Sequence, residues 1–128
     1  MKSSYAAALL LLVAMNLMPS TGRAQTVTDG KYWYLNYCAS CHGASGKGDG
    51  SIAKVLTQKP ADLTTLSSVN GGVFPAARVS EIIEGRREIL AHGARDMPVW
   101  GRATRIAPVM VRARISAIVE YLATIQGK

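Results

Sequence analysis

Only two cysteines occur in the 128 residues, and they stand three positions apart with a histidine directly after the second: Cys38-Ala39-Ser40-Cys41-His42. Few architectures use that arrangement. Two cysteines cannot supply the dense disulfide framework of a small secreted domain, and a bond between Cys38 and Cys41 would be short and strained. A zinc site drawing on Cys38, Cys41, His42 and His92 would have to strain a tetrahedron at the adjacent Cys41 and His42, and the usual spacing of a histidine pair is missing. A thioredoxin-type pair belongs at the end of a strand in a βαβ setting, and no alternating strand pattern precedes this one.

The remaining reading is the attachment signature of a c-type haem. Two thiols three positions apart on a helical turn reach the two vinyl groups on one edge of a porphyrin. The histidine after the second thiol then lies beneath the iron and ligates it. On this reading Cys38 and Cys41 hold one haem c covalently and His42 is an axial ligand.

The N-terminus agrees with this chemistry. Lys2 opens a segment whose apolar run, Ala6 to Met18, is broken only by Asn16. Pro19 to Ala24 closes it with helix-breaking and small residues, the anatomy of a secretory signal peptide cut after Ala24. The run is shorter than the ~20 residues that span a bilayer, and no cysteine near the cut offers a lipid anchor. The expected organisation is residues 1–24 as a cleavable signal peptide and residues 25–128 as one small, basic, periplasmic domain with no membrane anchor in its mature form. That size folds alone but buries a limited core, so a central cofactor would stabilise it.

Within the domain, residues 25–30 read as a polar lead-in and 31–39 as a helix entered from Thr28 or Asp29. Gly30, Tyr34 and Cys38 share one face of it. Gly43, Gly46, Gly48 and Gly50 mark a loop, Ile52 to Leu56 a helical turn, and Asp62 to Gly72 an irregular connection with a further short helical piece. Phe74 to Glu84 reads as a helix stopped by Gly85. Glu88 to Gly101 reads as loop. Pro108 starts a last helix in which Ile115, Ile118, Val119, Leu122 and Ile125 recur at helical spacing. The class is all-α with long loops.

In this order the residues resemble the class I (monohaem) bacterial cytochrome c family across nearly all of the mature chain. The resemblance rests on Gly30, Tyr34 and the Cys38–Gly43 motif, then Gly46-Lys47-Gly48-Asp49-Gly50 and Pro60-Ala61-Asp62-Leu63-Thr64. Met97-Pro98 with Trp100-Gly101, and Tyr121-Leu122 in the closing helix, complete it. It implies a small cytochrome c fold whose N- and C-terminal helices cross, with Gly30 allowing the approach and Tyr121 packing near it, and with long loops around one haem. It also implies that a proline carbonyl, here from Pro60, accepts the proximal imidazole N–H.

Beyond residue 24 the chain has two methionines and one histidine besides His42. Met97, before Pro98, is placed as the ligand methionine of the resembled family is; His92 or an open position are the alternatives, and Met110, between Val109 and Val111, reads as core. A thioether ligand raises the potential relative to bis-histidine ligation. Tyr34, Leu63, Ile82 and Trp100 are expected in the haem pocket.

The expected function is electron transfer: a carrier moving one electron between larger redox proteins or, alternatively, the haem-bearing subunit of a periplasmic dehydrogenase or oxidoreductase complex, present as a monomer or within that complex. The formal charge of +7, which becomes +5 once Lys2 and Arg23 leave with residues 1–24, with Lys47, Lys54, Lys59, Arg95, Arg102 and Arg105 near the haem segments, suits partners with acidic docking surfaces. The arginines lack the aromatic interleaving of a nucleic-acid site. Scattered acids, the absence of a nucleophile elbow and a glycine loop with no preceding strand exclude hydrolase and phosphate-loop chemistry.

Overall fold

The computed structural model describes residues 21–86, 99–100 and 107–127. Four α-helices occur there: α1 Thr21–Tyr37, α2 Ala39–His42, α3 Ala76–Glu84 and α4 Pro108–Thr124. Three 3₁₀ turns, Ala53–Val55, Leu63–Thr65 and Ser68–Asn70, punctuate the long connection from α2 to α3. No strand occurs among the described residues, so the all-α class holds.

α1 begins ten residues earlier than the pattern suggested. The polar residues of 25–29 do not cap the helix; they continue it. Thr26 Oγ1 donates to Gly22 O and Thr28 Oγ1 to Ala24 O, and Gln25 Nε2 donates to Asp29 Oδ1 at 2.9 Å, each one turn apart. These local bonds satisfy the hydroxyls along the helix instead of turning them to a cap. The helix stops at Tyr37, and Cys38 is a turn residue before α2 resumes at Ala39.

α1 and α4 make the most extensive contact between elements and run antiparallel. Gly30 lies against Ala117 and Tyr121, while Trp33 lies beneath Arg114. A Cβ at Gly30 would collide with the Ala117 carbonyl oxygen and come within 2.9 Å of Tyr121 Cβ. Glycine is there because two backbones meet. Below it Tyr34, fully buried, packs its ring 5.3 Å from that of Tyr121. The buried face of α4 carries Val111, Ile115, Ile118, Val119, Tyr121 and Leu122, and α3 adds Val79 and Ile83. Each such aliphatic side chain contributes about 1.5–3 kcal/mol of transfer free energy.

Met110 departs from its expectation. It is 51% exposed, and its neighbour Val109 is exposed too. Val111, the next residue, is buried and lines a hollow with Trp33 and Tyr37, so the first turn of α4 meets α1 through Val111 while Met110 lies off that face.

The C-terminus is stitched inward. Gln126 Nε2 donates to Leu63 O at 2.8 Å, its Oε1 accepts from Ser67 N, and Gly127 N donates to Thr64 O. These bonds hold the 63–67 stretch against the end of α4.

Candidate functional site

α2 is a single turn, and its last residue, His42, is the only buried polar or charged residue among those described. Two glycine contacts explain how the turn holds its shape. Gly50 packs so closely under it that a Cβ would overlap the Ser40 carbonyl oxygen, and Gly50 N–H donates to Cys41 O at 3.1 Å. Gly48, at φ +73°, lies against the Pro60 carbonyl in the same way and donates to His42 O at 2.8 Å. The glycine loop is thus a backbone cradle for the two thiols and the imidazole, and not an anion loop.

His42 Nδ1 lies 3.1 Å from the Ala61 carbonyl oxygen. A carbonyl only accepts, so Nδ1 carries the proton, and a ring held in this way ligates through Nε2. This corrects the expected Pro60: its carbonyl is taken up in the close approach of Gly48, and the next one along meets the imidazole. Asp62 fixes that next peptide. Its carboxylate accepts from Thr64 N at 2.9 Å and Thr64 Oγ1 at 2.6 Å, capping the Leu63–Thr65 turn. The Thr64 hydroxyl first, and then the Thr64 N–H, hold the Asp62 carboxyl below its ordinary value, with Lys47 and Lys59 adding to the effect.

Around the imidazole the walls are apolar. Tyr34, Cys38, Leu63, Leu66, Val79, Ile82, Ile83, Ile118 and Leu122 line one pocket with His42 and Ala61. Tyr34, Leu63 and Ile82 are there as the sequence suggested. Trp100 is not: it lines a separate apolar hollow with Trp33, Tyr37, Val111 and Arg114, because its ring packs on Tyr37 at 5.0 Å. Leu66, Val79 and Leu122 are wall residues the sequence did not single out as such. Tyr34 Oη donates to Gly43 O at 2.6 Å; burial first, and then the neighbouring Cys38, raise its pKa, so the phenol stays a donor.

Burial, with a smaller contribution from Cys41, pushes the Cys38 thiol up to about 12. A disulfide-exchange nucleophile needs the opposite shift, which counts against a thioredoxin-type role. Two thiols, a buried imidazole oriented through Nδ1 and a dry apolar lining fit a covalently attached haem. Met97 and His92 lie outside the described residues, as do Arg87, Arg95, Arg102 and Arg105. Arg86 is described, and its Nε pairs with Glu84 Oε2 at 2.5 Å.

An all-helical fold closed by crossing terminal helices over a C-x-x-C-H turn defines a c-type cytochrome domain. The family model described as cytochrome c oxidase, cbb3-type, subunit III, matches residues 25–122, and the chain belongs to that family. No curated protein and no solved structure gives a significant match. The family supports a haem-binding, electron-transferring role. No helix among the described residues is long and apolar enough to cross a membrane.

Proposed function

We propose that the chain is an exported electron-transfer protein in which one haem c is bound through Cys38 and Cys41 and ligated by His42 and Met97. The observation that carries this is the buried His42 ring, held by the Ala61 carbonyl in the wall it shares with Cys38. Bound there, the haem supplies one-electron exchange between ferric and ferrous iron. The residues of the chain set its terms. The Ala61 carbonyl draws on the Nδ1 proton and makes the imidazole a stronger donor. Leu63, Ile83, Ile118 and Leu122 exclude water, so the surroundings reorganise little when charge changes. Met97 would hold the iron as second ligand to His42, and the haem so held would supply electron exchange and no site for substrate. The basic start, apolar run and small residues of positions 1–24 support cleavage after Ala24 and a periplasmic location.

Docking is assigned to the side of the attachment turn carrying Ile52, Lys54 and Val55. All three are exposed, and Ile52 N–H donates to Ser40 O at 3.1 Å. Lys47 and Lys59 are exposed on neighbouring segments. A partially apolar, basic surface of this kind fits acidic redox partners. The family's description as an oxidase subunit favours a second reading, in which the domain is the haem-bearing subunit of a larger oxidoreductase complex. Purification separates the two: a carrier elutes alone, and a subunit elutes in fixed stoichiometry with a catalytic chain.

The ligand assignment is tested by spectroscopy on the ferric holoprotein. Met97→Ala is expected to abolish the red-region charge-transfer band and lower the potential, and His92→Ala to leave both near wild type. A band that survives Met97→Ala refutes the assignment.

A further inference from the structure

Gly43, the residue after His42, is held on three sides. Its N–H donates to Ala39 O at 2.9 Å, and its carbonyl accepts from Tyr34 Oη at 2.6 Å. Its Cα lies so close to Asp49 that a Cβ would overlap Oδ1, and its φ of +81° is one that a side chain would strain. The peptide before it is gripped too, since Gly48 N–H donates to His42 O at 2.8 Å. Gly43 is buried, so its carbonyl, without the Tyr34 hydroxyl, would be an unpaired acceptor away from water, which a folded chain avoids.

The hydroxyl that closes this joint comes from the helix crossing. Tyr34 lies on α1 one turn after Gly30, is fully buried, and packs its ring 5.3 Å from that of Tyr121 on α4. The same ring lines the apolar pocket beside Cys38 and His42. Packing on Tyr121 requires only the ring, which phenylalanine would supply. The oxygen is used on Gly43 instead. One phenol thus reaches from the place where two helices meet to the residue that follows the imidazole.

We propose that Tyr34 is a positioning residue for the iron ligand: its hydroxyl, anchored by the α1–α4 crossing, fixes the Gly43 joint and with it the plane of the His42 ring. This rests on the reading of His42 as a ligand to a haem held by Cys38 and Cys41. The Ala61 carbonyl holds the ring at Nδ1, 3.1 Å away, and the backbone at Gly43 holds it from the other end. Without the hydroxyl the Gly43 carbonyl turns to find another donor, the His42 backbone follows, and the bond to Ala61 lengthens. A weaker bond at Nδ1 makes the imidazole a poorer electron donor, which favours ferrous over ferric iron.

The test is proton NMR of the ferric holoprotein with cyanide bound, together with the potential of the cyanide-free protein. Cyanide takes the iron position opposite His42 and is symmetric about its own axis, and the two thioethers fix the porphyrin. The pattern of haem methyl resonances therefore reports the imidazole plane alone. Tyr34→Phe removes one oxygen and is expected to redistribute those resonances and raise the potential. Tyr121→Phe is the control: it takes a phenol from the adjoining ring, leaves the bond to Gly43 in place, and is expected to change neither. If Tyr34→Phe does not retain haem, Gly30→Ala reaches the same joint by pressing on Tyr121, and it too is expected to redistribute the methyl resonances. A Tyr34→Phe protein that is less stable but keeps the wild-type pattern and potential overturns the proposal, as do equal responses of the two tyrosine variants or, where it is needed, a wild-type pattern in Gly30→Ala. The underlying reading fails separately: a wild-type chain with no haem stain on a denaturing gel, or with no methyl resonances outside the diamagnetic range, refutes the ligation itself.

Discussion

At the scale of single residues, the buried His42 imidazole is held by the Ala61 carbonyl nineteen positions away, and Asp62, the next residue, fixes that stretch through Thr64. The Asp62 carboxyl is drawn below its ordinary value by the Thr64 hydroxyl and N–H. A carboxylate lowered on folding stabilises the folded state above its unfolded pKa, and that contribution fades as pH falls through the lower, folded value. Asp62→Ala should therefore lower the thermal midpoint at about pH 7, with the gap to wild type narrowing as pH falls through the lowered, folded value of the Asp62 carboxyl. Midpoints followed by circular dichroism across that range check this; a gap that is constant with pH refutes the role. The Asp62-x-Thr64 pattern was visible in the sequence, but which carbonyl it delivered was not. Pro60 and Ala61 are adjacent, and only the depth at which Gly48 packs under Pro60 decides between them.

At the scale of elements, Gly30 sets the distance between α1 and α4. In a helix interior alanine is ordinarily better than glycine by roughly 0.5–1 kcal/mol. Here a methyl group would meet the Ala117 carbonyl, and overpacking of this kind costs about 1–3 kcal/mol. The Ala117 carbonyl is backbone and cannot yield as a flexible side chain would, so Gly30→Ala is expected to destabilise the holoprotein to guanidinium by about 1 kcal/mol net, the difference between the mid-values of those two effects. An unchanged or raised midpoint would show that the helices have room to part. The crossing, Tyr121 beside Gly30 and the apolar face of α4 were all legible from spacing and family resemblance. That residues 25–29 belong to α1 was not, because Thr26 and Thr28 are as ready to cap a helix as to bond back along one, and only the surroundings choose. Met110 misled for a related reason: apolar neighbours in sequence do not reveal which of them falls on the face that meets the partner helix.

At the scale of the whole molecule, the pocket is assembled from segments far apart in the chain. α2 brings the imidazole, the 61–66 stretch its acceptor and one wall, α3 a second wall, and α4 a third. The motif announced the chemistry in five residues, while the walls came from positions whose hydrophobicity marked them as core and nothing more. The basic surface also belongs to this scale. The full chain's charge of +7, which becomes +5 once Lys2 and Arg23 leave with residues 1–24, acts over about 8 Å at physiological ionic strength, so it guides encounter and leaves the energetics of the haem to the interior.

The meeting of the first and last helices also orders how such a chain can be made. A polypeptide delivered from its N-terminus presents both cysteines while Ile118 and Leu122, which later roof the same cavity, have yet to emerge. Ligation enzymes would therefore have their opening before Ile118 and Leu122 close the cavity. A chain stopped after Ala107 should accordingly still acquire porphyrin at Cys38 and Cys41, detected by haem stain on a denaturing gel, yet be digested by protease far faster than the full-length form.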